Sequence, residues 1–105
     1  MSRLQIVGIV ICLLSCAANA DQDDPVEEIK KNQPQPVAAL IDRIVGCYHW
    51  AGETPYDAER DKQISQAISS LRCETLKEDE TAILNTYHTN PAVKKAIDMA
   101  KDIML

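Results

Sequence analysis

Apolar residues recur at intervals of three and four positions from residue 36 onward, and this spacing predicts amphipathic α-helices. The pattern is clearest in the first of these segments, where the residues of the apolar face are Val37, Leu40, Ile41, Ile44, Val45 and Tyr48. No segment alternates apolar and polar residues as a half-buried strand does, and no hairpin turn pair occurs. The sequence therefore predicts an all-α fold, a small compact bundle of about four helices over residues 36–105.

Cap residues and prolines divide this region into four predicted helices. Their predicted starting points are Pro36, Thr54–Pro55, Thr75 and Asn90–Pro91. Thr54 is the expected N-cap of the second helix, and Asp57, three residues later, completes a variant of the capping box. Thr75 and Glu78 repeat that spacing at the third helix. The connections between the helices are short, which favours antiparallel neighbours.

The chain before residue 36 falls into two predicted segments. Residues 1–20 contain a basic residue, Arg3, then the apolar run Ile6–Leu14 and small residues before Asp21, which is typical of a secretory signal peptide. Residues 21–35 are charged and then rich in Gln and Pro, so they are predicted to form a flexible polar linker. Within that linker the sequence allows at most a short helical turn around Val26–Lys31.

A second interpretation of the N-terminal segment concerns Cys16. The run Leu13–Cys16 resembles a bacterial lipoprotein box, in which Cys16 would be lipidated and become the mature N-terminus. The apolar run before it is shorter than the roughly 20 residues that a transmembrane helix needs. We therefore expect an exported protein, periplasmic or secreted, that is not inserted in the membrane. The alternative is an outer-membrane lipoprotein anchored through Cys16.

Cleavage after residue 20 would leave two cysteines, Cys47 and Cys73, in an oxidising compartment, where they most simply form one disulfide. This bridge would join the end of the first predicted helix to the end of the second. Those ends lie apart when the two helices are antiparallel. We therefore expect either that the Ala51–Thr54 connection swings the second helix across the first, or that the second helix ends early.

Charge narrows the range of partners. After removal of residues 1–20 the chain has ten basic and sixteen acidic residues, a net charge of −6 with neutral histidines. Such a protein would be repelled by nucleic acids and by anionic membranes, so neither is expected as a partner. The expected partner is another protein, and a basic surface on that protein would be favourable.

The densest group of unusual residues lies where the first predicted helix meets the second. It contains the only Trp and two of the three Tyr, and aromatic residues are typical of recognition surfaces. The candidate partner-binding residues are Tyr48, His49, Trp50, Glu53, Tyr56 and Arg60. In a plainer interpretation Trp50 and Tyr56 complete the core, because the chain has no Phe. Arg60 would then pair with Glu53 or Glu59.

The same region lacks the residue patterns that are typical of catalytic and metal-binding sites. No pair of Cys, His, Asp or Glu has a recognised zinc-ligand spacing, and the haem attachment pattern C-x-x-C-H is absent. A disulfide-bonded Cys47 has no thiolate, and His49, two residues away on a helix, lies on a different face. We therefore predict no catalytic residue, no metal site and no cofactor, and hence a non-enzymatic protein.

The sequence accordingly favours a small exported, disulfide-linked protein-binding module, such as an inhibitor or an immunity-type protein. The alternative is an envelope protein with a structural or chaperone-like role. In size and in its single disulfide the mature chain is similar to small periplasmic helical chaperones. It shares no motif with them, so the similarity concerns architecture rather than function.

Overall fold

The computed structural model describes residues 24–105, and these residues form five α-helices and no strand. The helices are α1 (Pro25–Lys30), α2 (Gln35–Ala51), α3 (Ala58–Ser70), α4 (Leu76–Thr86) and α5 (Pro91–Asp102), with a short 3-10 turn at Cys73–Thr75. The predicted all-α class is confirmed, with four longer helices and a short fifth. The predicted signal peptide and Cys16 lie outside the described residues.

Helix α2 is the centre of the fold, and each of the other four helices packs against it. Its apolar face and that of α5 form most of the core, whose largest fully buried side chains are Val37, Ile41, Ile44, Val93 and Ile97. Tyr48 also belongs to the predicted apolar face, but it is 42% exposed because it lines an open groove rather than the closed core. The apolar stripe predicted for the first helix therefore belongs to the core along the first three turns of α2.

Helix α1 lies inside the segment that was predicted as a linker. It begins with strong local signals, because the Asp24 side chain accepts the Val26 N–H at 2.9 Å and Pro25 occupies the first helical position. Ile29 is buried in the core, and Lys30 pairs with Asp42 of α2 at 3.0 Å. The short helical turn expected here is present. The packed part of the chain begins near residue 25 rather than 36, because Ile29 is buried in the core and Val26 packs against it.

Helix α3 begins later than the sequence predicted. It starts at Ala58 rather than at Thr54–Pro55, and its N-cap is Asp57, whose carboxylate accepts the Arg60 N–H at 2.8 Å. Thr54 and Asp57 are both favoured N-cap types, so the local sequence offers two starts three residues apart. The later start lengthens the connection after α2 to residues 52–57.

The next two helix starts agree with the predicted positions, although one capping interaction differs. Asn90 caps α5 by accepting the Ala92 N–H at 3.1 Å. Thr75 is the N-cap of α4, but its hydroxyl donates to the Asp79 carboxylate at 3.0 Å instead of accepting a backbone N–H. The expected capping box between Thr75 and Glu78 is therefore replaced by a side-chain pair one residue further along the helix.

The predicted disulfide joins Cys47 to Cys73, whose Cα atoms are 5.7 Å apart. Of the two expected solutions to the geometric conflict, the early end of the second predicted helix is confirmed, because α3 ends at Ser70, before Cys73. Cys47 comes before the last turn of α2, and Cys73 follows α3 after the chain has turned back. The reversal occurs at Arg72, which has left-handed backbone angles of φ 53° and ψ 50°.

Arg43 holds this reversal against α2 independently of the disulfide. Its Nε donates to the Leu71 carbonyl at 2.9 Å, and its Nη2 donates to the Arg72 carbonyl at 2.8 Å. The same guanidinium pairs with Asp79 of α4 at 2.9 Å. Leu71 can pack closely here because Gly46 has no side chain, and a Cβ at that position would lie 2.9 Å from the Leu71 Cδ1 atom. One half-buried cation on α2 thus links this helix to α4 and to the turn after α3.

Candidate functional site

Four of the six predicted binding residues form one cluster at the junction of α2 and α3, with Arg60 at its centre. The Arg60 guanidinium lies over the Trp50 ring, 5.1 Å from the ring centroid. It also donates to Glu53 Oε1 at 2.8 Å and to Gln63 Oε1 at 2.9 Å. His49 meets the Trp50 ring edge-on, with 5.2 Å between the ring centroids. Of the two partners that the sequence offered for Arg60, Glu53 and Glu59, the structure has the pair with Glu53.

Ionised groups hold this cluster together. The hydrogen bond from Arg60 lowers the pKa of Glu53, burial partly opposes that shift, and the charges of Arg60 and His49 lower the pKa further. The same hydrogen bond raises the pKa of Arg60. When protonated, His49 adds an ion pair to Glu53 at 3.6 Å. The arrangement therefore depends on Glu53 remaining a carboxylate.

Acidification is expected to destabilise the fold in part through Glu53. Because its folded-state pKa is lowered, its ionised form favours the folded state above the ordinary carboxyl pKa of about 4.3. That contribution is lost as the pH falls through the lower folded-state pKa. We expect the wild-type Tm to fall between about pH 5 and pH 2, and the Tm of Glu53→Gln to fall less over the same interval. Thermal unfolding followed by circular dichroism measures both.

The matched control for this experiment is Glu59→Gln. Glu59 is an exposed carboxylate in the first turn of α3, and it pairs with no other residue in the range 24–105. Its variant should keep the pH dependence of the wild type. If Glu53→Gln had the same pH dependence as the wild type, the proposed contribution of the Arg60–Glu53 pair would be refuted.

The two remaining predicted residues lie apart from the cluster's centre. Tyr56 is in the loop between α2 and α3 and is 79% exposed, so it does not complete the core as the plainer interpretation required. Trp50, in contrast, is half-buried beneath Arg60. Tyr48 lies on another side of α2, where it lines a groove with Cys73. The six candidates therefore occupy two surfaces rather than one.

The loop that presents Tyr56 is fixed at both ends. The N–H groups of Gly52 and Glu53 donate to carbonyls of the last turn of α2 at 3.1 Å and 3.2 Å. At the other end Asp57 caps α3, and the Glu53 side chain is held by Arg60. Tyr56 is thus presented by an ordered loop, and ordering before binding reduces the conformational entropy lost on association.

A groove between α2, α4 and α5 was not predicted. Its volume is about 370 Å³, and its lining includes Ile44, Tyr48, Cys73, Lys77, Glu80 and Lys101. Lys101 pairs with Glu80 at 2.8 Å, and this hydrogen bond raises the pKa of Lys101. Neighbours three or four residues apart along the chain, such as Ile44 and Tyr48 or Cys73 and Lys77, are visible from the sequence. The other contacts depend on tertiary packing, which explains why the sequence did not indicate the groove.

Within residues 24–105, no three Cys, His, Asp or Glu side chains converge in a way that could hold a metal ion. No helix in that range is both long enough and apolar enough to cross a membrane.

Comparison with known proteins adds no relative: no protein family, curated protein or solved structure matches the chain. The structure itself defines the class, a small all-α domain whose central helix is joined by a disulfide to the turn after α3. Its most distinctive surface is the ordered loop with Tyr56 and the adjoining Trp50–Arg60 cluster.

Proposed function

We propose that this protein is an exported, non-enzymatic protein-binding module of the inhibitor or immunity type, which contacts its partner through Tyr56 and the adjoining cluster. The observation that carries the proposal is the 79% exposure of Tyr56 on a loop that is fixed at both ends. Such a side chain contributes nothing to the core. Tyr is also one of the residue types that supply most of the binding energy at protein interfaces.

The charges beside Tyr56 favour a partner with a basic surface. Asp57, Glu59 and Asp61 are exposed around the start of α3, while Arg60 is engaged by Glu53. Lysine or arginine side chains of a partner would be attracted to this acidic rim and would stack on the Tyr56 ring. The excess of acidic residues in the whole chain acts in the same direction.

Photocrosslinking in the native host tests whether the loop has one partner. A photoreactive phenylalanine analogue at Tyr56 in the full chain is expected to yield one discrete crosslinked product. The same analogue at Gln66, which is exposed on α3, should yield none. Absence of a product from position 56, or the same product from both positions, would contradict the proposal. A continuous range of products would contradict it in favour of the chaperone-like alternative.

Once the partner is identified, Tyr56→Ala should weaken its binding by about 10- to 100-fold, the loss typical of an interface hot spot. The stability of the protein should change little, by no more than about 0.5 kcal/mol, because the side chain is exposed. Titration calorimetry and thermal unfolding measure the two quantities. Tyr48→Ala removes a tyrosine from the other surface and should leave the affinity unchanged. Equal losses of affinity in the two variants would show that the loop is not the contact.

A further inference from the structure

The two cysteines of the disulfide differ in their exposure to solvent. Cys73 is partly exposed and lines the groove between α2, α4 and α5. Cys47 is buried, with 6% of its surface exposed, and does not belong to that lining. We propose that Cys73 is a site of thiol–disulfide exchange, at which a small anionic thiol enters the groove and forms a mixed disulfide.

Access determines which sulfur is attacked. Thiol–disulfide exchange needs direct approach of the attacking thiolate to a sulfur atom, so a buried sulfur is protected and an accessible one is not. The groove has a volume of about 370 Å³, and both Cys73 and Tyr48 line it. An incoming thiol therefore meets Cys73, and Cys47 becomes the leaving group.

Charge in the groove selects an anionic thiol. The charged side chains that line it are Lys77, Glu80 and Lys101, and the last two neutralise each other at 2.8 Å. Lys77 pairs with no other residue of the part that the structure describes, so the groove carries one excess positive charge. Glu74 follows Cys73 in the chain, but it is exposed and is not part of the lining. An anionic thiol is thus attracted toward the sulfur that it can reach.

The exchange conserves electrons and atoms. The thiolate of the incoming thiol attacks Cys73 Sγ, a new S–S bond forms, and the Cys47–Cys73 bond breaks. Cys47 leaves as a thiolate and takes a proton from water. In the reverse direction the Cys47 thiolate attacks Cys73 Sγ, restores the original disulfide and expels the small thiol. No other oxidant or reductant is required.

Arg43 makes this exchange reversible without loss of the fold. It holds the carbonyls of Leu71 and Arg72 against α2 through two hydrogen bonds, and neither bond involves the disulfide. When the S–S bond opens, Cys73 therefore stays beside Cys47. Ring closure is then intramolecular and fast, and the adduct reverts once the external thiol is removed.

The test uses the native, oxidised protein and reduced glutathione. After a brief reaction, an acid quench and thiol blocking, peptide mass spectrometry is expected to place the adduct on Cys73 with roughly a tenfold excess over Cys47. In a second measurement, Cys47→Ser and Cys73→Ser each react with oxidised glutathione. Cys47→Ser, which keeps Cys73, should react faster when folded, and the two rates should converge in guanidinium chloride. An adduct mainly on Cys47 would overturn the proposal, whether or not the single-cysteine variants fold.

Substitution of Lys77 tests the effect of charge in the groove separately. Lys77→Gln should slow the attack of glutathione by about two- to fivefold but should not slow cysteamine, which carries a positive charge. Lys62→Gln removes an exposed lysine of α3 that does not line the groove, and it should leave both rates unchanged. If Lys77→Gln slowed both thiols equally, the selectivity for an anionic thiol would be refuted.

Discussion

Replacement of both Cys47 and Cys73 by alanine is expected to lower the free energy of unfolding by about 3–4 kcal/mol. The two cysteines are 26 positions apart, and a bridge across that separation restricts the unfolded chain by this amount in the loop-entropy account. For a domain whose total stability is typically about 5–15 kcal/mol, the loss is large. Urea denaturation of wild type and double variant measures it.

The reducing agent dithiothreitol provides the control for this prediction. It should lower the stability of the wild type to near that of the double variant and should leave the variant itself unchanged. The helices should persist in the reduced protein at low urea, because Arg43 still links α2 to the turn after α3. A double variant as stable as the oxidised wild type would show that the bridge contributes little.

Ile41→Ala is expected to cost about 3–4 kcal/mol, the second large effect. Ile41 has no exposed surface and lies on α2, against which every other helix packs. The core is built mainly from aliphatic side chains in close contact, and such neighbours move only partly into the space that the substitution would open. Urea denaturation measures the loss.

Ile103→Ala is the matched control, because it removes the same atoms from a side chain that is 42% exposed. Its cost should stay below about 1 kcal/mol. Similar losses in the two variants would contradict the assignment of the core to the contact between α2 and α5.

Local sequence signals were sufficient to predict features that depend only on residues within or next to one helix. The apolar stripe of α2 and the Asn90 cap of α5 were readable because helical spacing and capping depend on a few neighbouring residues. The start of α3 could not be predicted, because Thr54 and Asp57 are both favoured N-cap residues and only the folded structure selects between them.

Features that depend on distant contacts were less predictable. Ile29 lies in a segment too polar to fold alone, and its burial requires a site already formed by α2 and α5. The groove beside Cys73 joins residues from three helices, so its charges could not be assembled from spacing alone. At the candidate binding site, composition located the aromatic corner. It could not indicate that Trp50 would be covered by Arg60 while Tyr56 would be exposed.

The docking of α1 sets the distance at which a lipid anchor would hold this protein. With a flexible linker to residue 35, a lipid on Cys16 would allow the domain to move about 65 Å from the membrane. Because the packed chain already begins at Pro25, only eight residues separate Cys16 from the domain, and their fully extended reach is about 30 Å. A lipidated form would therefore keep the start of α1 within about 30 Å of its anchor and the domain beside the bilayer.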